Sequence, residues 1–309
     1  MDIDPVSYFE TQMGVQLKRV SGYEYAGPCP WCGGTDRFHV WRDKGNFWCR
    51  PGPGHCGRDG FVDQLTGEKM TPEERHRLAI ESRLAAVERK QREHEQRLSA
   101  LEQMHRKMYL ADAYHQNVND TDNGALAYWA SEGIIPETVE RFKLGYCSRC
   151  PTDHQHRPSY TIPVIIAGKL YNIRHRIKNA DNGDKYRPEM AGLPSVLFNA
   201  DELYNDYESL IILEGEKKSI VVSQSGFCNN VAIMGKSGFN AAWRVKFERF
   251  KRVYVALDPD ALDQAAEIAR LFGDRGRVVI LPEKIDDMIV RYGADWRDIE
   301  HLLAQGKRV

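Results

Sequence analysis

Three short apolar runs in the C-terminal third of this chain each stop on carboxylates. Val253-Tyr254-Val255-Ala256-Leu257 ends on Asp258-Pro259-Asp260, and Leu210-Ile211-Ile212-Leu213 ends on Glu214-Gly215-Glu216. Val278-Val279-Ile280-Leu281 is followed by Glu283, Asp286 and Asp287. Apolar, β-branched runs of this length read as buried strands, and α/β sheets carry their sites at the C-terminal ends of such strands. Acids delivered to one sheet edge from three strands make an oxygen-rich cluster. Hard divalent cations, Mg²⁺ or Mn²⁺, take such ligands.

Cysteine spacing constrains the other end of the chain. Cys29-Pro30-Trp31-Cys32 is followed by Cys49 and Cys56. The first pair is a knuckle whose thiolates converge, with Gly33 and Gly34 supplying the turn's freedom. Arg37 to Trp41 and Asn46 to Trp48 read as a hairpin turning at Lys44-Gly45, which carries the later cysteines back to the first pair. Four thiolates at tetrahedral geometry suit Zn²⁺, and the metal supplies much of the folding energy of so small a ribbon. His55 is an alternative ligand to Cys56. Phe38 and Phe47 are the expected core of the ribbon. Trp41, Trp48 and Arg37 are candidates for stacking bases and touching phosphates of a single strand. Gly52 to Gly57 matches G-x-G-x-x-G but carries Pro53 and opens no helix, so it reads as loop.

With seven cysteines, two Cys-x-x-Cys pairs and no export signal, the sequence favours metal over disulfides. No apolar run reaches membrane-spanning length, so a cytoplasmic protein without membrane contact is expected. The net charge of −1 is uninformative, but residues 141–190 hold ten Lys/Arg against four Asp/Glu. Such a local positive excess suits a phosphate backbone. Within it Arg174, Arg176, Lys185 and Arg187 are candidate phosphate or template contacts. Cys147 and Cys150, followed by His154 and His156, have the residue types of a second zinc site. From Thr71-Pro72-Glu73-Glu74 to about Leu110 the chain lacks glycine and proline, and reads as one long, mostly exposed helix with a weak heptad seam.

The ribbon resembles the zinc-binding domain of bacterial and phage DNA primases at Gly27 to Cys32, Asp36 to Val40, Asn46 to Cys49 and Cys56 to Val62. Residues from Ala127 to Tyr146, and the basic stretch through Lys185-Tyr186-Arg187-Pro188, resemble the first part of that family's polymerase core. Glu214-Gly215-Glu216, Asp258-Pro259-Asp260 and Asp286-Asp287 are similar to the acidic motifs of the Toprim fold, a parallel sheet flanked by helices. Lys236, in the loop Gly235 to Gly238, matches a family loop near the site and is a phosphate candidate.

The resemblance implies an α/β chain: zinc ribbon at 1–70, helical linker at 71–110, the first part of an α+β core at 111–207 and Toprim at 208–309. It implies a nucleotidyltransferase, a DNA primase using one zinc ion and Mg²⁺ or Mn²⁺. Single-stranded DNA and ribonucleoside triphosphates are its implied ligands, with a separate helicase or replication initiator as partner. Asp258, Asp260 and Asp286, with Asp287 beside them, are the expected magnesium ligands. Glu214 is either a ligand or the group that handles the proton. Lys218 and Lys284 stand where family members carry acids, which implies one fewer metal ion, or a binding protein with weakened or lost catalysis.

Overall fold

The computed structural model describes residues 4–66, 72–180 and 185–308. The chain divides into two units, Met1–Gln96 and Arg97–Val309.

In the first unit a short helix, α1 (Pro5–Gln12), precedes an antiparallel meander. Its strands are β1 (Lys18–Ser21), β2 (Glu24–Cys29), β3 (Gly33–Trp41), β4 (Asn46–Cys49) and β5 (Asp59–Phe61), in that spatial order. The β3–β4 hairpin turns where the sequence indicates, with Trp41 opposite Asn46 and Gly45 at a φ of 67°. Alternation along β3 and β4 sends Phe38, Val40, Phe47 and Cys49 inward. The core is aromatic: Phe9 of α1 meets Phe38 edge-on at 4.8 Å and Phe47 at 5.3 Å between ring centres. Helix α2 (Val62–Thr66) follows β5, and helix α3 (Pro72–His105) comes next. Thr71 of the expected helix start lies outside the described residues. Along α3, Ile80, Leu84, Val87 and Leu98 are exposed, as expected of a weak seam.

The second unit opens with helices α4 (Met108–Gln116), α5 (Ala125–Ser131) and α6 (Pro136–Arg141). An antiparallel sheet follows in the order β6 (Gly145–Cys147), β7 (Ser159–Ile166), β8 (Lys169–Ile177), β9 (Tyr186–Pro188). Ile173, His175 and Ile177 of β8 are buried, which turns Arg174 and Arg176 to the opposite face.

The remainder is a parallel sheet of β10 (Ser209–Glu214), β11 (Asn230–Ile233), β12 (Arg252–Ala256) and β13 (Gly276–Val278). Helix α7 (Glu216–Gln224) joins β10 to β11, and α8 (Leu262–Arg270) joins β12 to β13. Helices α9 (Ile285–Tyr292) and α10 (Trp296–Ala304) complete it. Leu210 to Leu213 of β10 are wholly buried because both sheet faces are covered. Ile211 and Leu213 pack with Val221 and Ile285 on one side, while Leu210 and Ile212 pack with Phe247 and Ile268 on the other. Each such side chain contributes about 1.5–3 kcal/mol. The expected third strand ends earlier than its apolar run, at Val278, and Ile280 is about half exposed.

The spatial order is β11-β10-β12-β13. After β10 the chain steps to one side to make β11, then returns across β10 to make β12. The order therefore reverses between β10 and β12, and such a point leaves a crevice at the strands' C-terminal ends. Leu213 lies opposite Ala256 there, so Glu214 and Asp258 emerge beside each other.

Candidate functional site

In the first unit Cys29, Cys32, Cys49 and Cys56 bring their sulfurs within 4.8 Å of one another. Cys29 Sγ lies 3.6 Å from Cys56 Sγ, and Cys32 Sγ 3.6 Å from Cys49 Sγ. Four sulfurs about 2.3 Å from a tetrahedral ion stand about 3.8 Å apart, so this four-cysteine site fits zinc. Burial pushes the Cys29 thiol up to about 12, while backbone hydrogen bonding at Cys56 brings Cys32 down to about 7. His55 is not the fourth ligand: its Nδ1 lies 3.0 Å from the Arg50 carbonyl. On the face of the sheet opposite the aromatic core, Trp41 and Trp48 flank His39 at 6.0 and 5.7 Å. Arg37 shares the β3 register of His39 and Trp41, and its guanidinium reaches the Gly54 carbonyl.

In the second unit, the crevice between β10 and β12 gathers acids and cations from several elements. Glu214 ends β10 and accepts a hydrogen bond from the Asp258 backbone. Burial, then the neighbouring Asp258 charge, pushes its carboxyl above the usual range. Its Oε2 is buried without a hydrogen-bond partner, as is Oδ1 of Asp286. Asp286 sits in the first turn of α9 with its side chain only 7% exposed.

Lysines stand among these acids. Lys218 Nζ lies 3.1 Å from the Asp258 carboxylate. Lys217 Nζ bridges Asp286 Oδ2 at 2.8 Å and Glu132 Oε2 at 2.6 Å. Burial works to raise Asp286, but the Lys217 hydrogen bond and charge win and hold it below the usual carboxylate range. Burial likewise opposes the charge on Lys217, yet Asp286 and Glu132 keep it above its ordinary value. The expected ligands gather at one edge without closing a cage around one point. Among the described residues, only the four cysteines bring three or more such ligand atoms together at metal-binding distance. The carboxylates share an edge, but ammonium groups partition it.

A cleft of about 340 Å³ opens beside Glu214, lined by Arg174, Tyr186, Lys217 and Lys218 among others. A smaller one of about 80 Å³ holds Asp286, Asp287 and Glu132, and Lys217 lines both. Arg174 Nε reaches Glu216 at 3.3 Å, and Arg176 Nη1 reaches Glu132 at 3.1 Å. Both guanidiniums lie 6.0 Å from the Tyr186 ring centre. Glu132 is held there by the turn behind it: Gln224 bonds the Gly133 carbonyl and the Ile135 amide. A Cβ on Gly133 would come 2.4 Å from Val290 of α9, so only glycine lets the two elements meet this closely.

The other expected residues divide. Lys236 pairs with Asp260 at 3.4 Å, both well exposed. Asp287 pairs with Arg291 at 3.0 Å along α9. Lys185 is exposed beside β9, and Lys284 is exposed at the start of α9. Arg187 turns away from the acids, toward the Thr152 carbonyl and Asp153. The four residues of the expected second zinc site do not converge. Cys147 and Cys150 are buried against His175, His154 is exposed, and His156 bonds the Cys150 carbonyl. Position in the chain brought them near one another, but the core strand β8 supplies the thiols' partner instead.

Sequence reasoning missed Glu132, Lys217 and Tyr186. One signal was present: Lys217 and Lys218 both fall in the first turn of α7, where the helix dipole disfavours cations. Two lysines there need a compensating partner.

No protein-family model matches the sequence, and neither does any curated protein. Solved structures do. The zinc-binding and RNA polymerase domains of the Aquifex aeolicus primase match all of this chain and 84% of their own, at 21% identity and a TM-score of 0.53. The Escherichia coli primase catalytic core matches 67% of this chain and 80% of its own, at 19% identity and 0.54. A DnaG primase catalytic domain bound to single-stranded DNA matches 69% of this chain and 83% of its own, at 19% identity and 0.56. The chain has the fold of the zinc-binding and RNA polymerase domains of bacterial primases.

Proposed function

We propose that this protein is a DNA primase, building short RNA primers on single-stranded DNA from ribonucleoside triphosphates at its acidic sheet edge. The observation that carries this reading is the emergence of Glu214 and Asp258 side by side at the reversal point of the parallel sheet, with a buried, unpartnered carboxylate oxygen on Glu214. That oxygen and its counterpart on Asp286 suit a hard cation. Mg²⁺ is commonly held by one or two carboxylates together with substrate phosphates, so Glu214 and Asp258 suffice without a full protein cage. Bound there, it would neutralise charge building on the phosphate and ease deprotonation of the attacking 3′ hydroxyl.

The chain's own residues have separate tasks in this reading. Arg174, Arg176 and exposed Lys236 offer cations to a triphosphate. Tyr186 offers a ring face for a base. Asp260 and Asp286 are further acids for the ion or its water, and Asp287 is an outlying one. The Toprim likeness of the acidic motifs and the structural neighbour solved with single-stranded DNA both support it. In the other unit, Trp41, Trp48 and Arg37 share a face suited to a template strand. A separate helicase or initiator is the partner this reading calls for.

A second reading has its own support: the lysines already neutralise Asp258 and Asp286. It makes the chain a primase-like binder of single strands without catalysis. A primer-synthesis assay on mixed single-stranded templates, with wild type and Asp258→Ala side by side, separates the two. Metal-dependent ribonucleotide incorporation that disappears in the variant supports the first. Template binding without incorporation in either protein supports the second.

A further inference from the structure

Every acid at this edge except one already has a cation. Arg174 serves Glu216, Arg176 and Lys217 serve Glu132, Lys217 also serves Asp286, and Lys218 serves Asp258. Glu214 has no ion-pair partner among the described residues. Five carboxylates thus face four fixed cations, which leaves one negative charge. Lys218 is central among them. Its ammonium is bonded to Asp258, its side chain is 15% exposed, and its charge acts on both Glu214 and Asp286. Asp286 keeps one deeply buried oxygen without a hydrogen-bond partner, so the edge retains capacity for a ligand beyond its lysines.

We propose that Lys218 is a built-in cation, occupying among Asp258, Glu214 and Asp286 the place a second divalent ion would need, so that the site takes a single divalent ion at Glu214. The inference rests on the metal-dependent reading above. With the ammonium bonded to Asp258, only one divalent ion can approach that carboxylate, from the Glu214 side, because further cations a few ångströms apart repel strongly in a partly buried crevice. A lysine is tethered, so this place is filled whatever the metal concentration. Lys284 has no comparable role, since it is exposed at the start of α9.

The test counts Mn²⁺ bound to the zinc-loaded full chain, by electron paramagnetic resonance titration with Mn²⁺ alone. Wild type should saturate at one ion per chain. Lys218→Asp should saturate at two, and Lys218→Gln should gain a weaker second ion. Lys251→Ala, which removes a surface charge, should stay at one. Thermal melting checks that each variant is folded. Two ions in wild type, or one in all four proteins, would overturn the role of Lys218 while leaving the metal reading intact. No ion in any of them would overturn the single ion at Glu214, and ribonucleotide incorporation that proceeds without Mg²⁺ or Mn²⁺ would overturn the metal reading with it.

Discussion

The ribbon and the acidic edge are both built from groups that attract metal, yet they solve the problem of bare charge in opposite ways. In the ribbon four sulfurs face one another, over a small core of aromatic rings and a few aliphatic side chains. At the acidic edge each carboxylate but Glu214 is matched by a lysine or arginine, over a sheet buried on both faces. A metal in the first place therefore makes up for a small core, whereas a metal in the second, as proposed, would add chemistry to a fold that stands without it.

The widest gap between the two should appear on stripping metal. Chelation of zinc, or Cys29→Ser with Cys49→Ser, should abolish the ribbon's cooperative structure, because a structural zinc supplies on the order of 10 kcal/mol. The second unit should keep its melting transition. Amide spectra that persist in the ribbon after chelation would break the contrast.

The next largest effect is on chemistry alone. Glu214→Gln should lower primer synthesis by ~100-fold or more, about 2.7 kcal/mol on the barrier, with the melting temperature unchanged or raised. A fall in stability that tracks the fall in rate would mean the edge is structural.

Alkali should separate the units further. His175 is wholly buried, which opposes its charge, but hydrogen bonding with Cys147, Cys150 and Glu189 overcomes that and pushes it up to about 11. A group raised on folding stabilises fully below its unfolded pKa, about 6.5, and loses that contribution as pH climbs through the folded value. Cys150, which burial works to raise but His175 among others holds down to about 7, contributes with the opposite sign between about 7 and 9. The second unit should therefore weaken chiefly between about 9 and 11, and His175→Gln should flatten that slope in urea titrations at several pH values.

Removing an internal cation should cost less than removing zinc. Lys217→Met leaves Glu132 and Asp286 facing each other without their bridge, and should destabilise the second unit by about 3 kcal/mol in urea. The smallest change is expected at Asp287→Asn, which breaks only an outer i,i+4 pair with Arg291, worth about 0.3–0.5 kcal/mol. A large loss of activity there would draw Asp287 into the working edge.

Much of this was legible from local pattern. Cysteine spacing located the zinc site, and alternation identified Phe38 and Phe47 as ribbon core. The apolar runs that stop on acids marked the sheet edge, since strand and motif are both contiguous in sequence. The illegible part depends on distance across the fold. Glu132 reaches the edge only because the turn after α5 docks on α7 and α9. Lys218 looked like a substitution in a motif, not like the partner of Asp258, and Lys217, the partner of Asp286, was missed. Cys147 and Cys150 kept the spacing of a metal knuckle, but a buried histidine on β8 engages them. The short helix α1 around Phe9 carried too weak a signal to announce the centre of the ribbon's core.

Gly133 gives the assembly one more property. Its bare α-carbon is the spacer that sets how near α9 can come, so a single hydrogen defines the gap across which Glu132, Lys217 and Asp286 speak to each other. Those three belong to segments made early, midway and late in synthesis. A nascent chain therefore carries the whole ribbon segment long before the acids of the sheet edge are all made, and Glu132, Lys217 and Asp286 come together only when α9 has seated against that glycine.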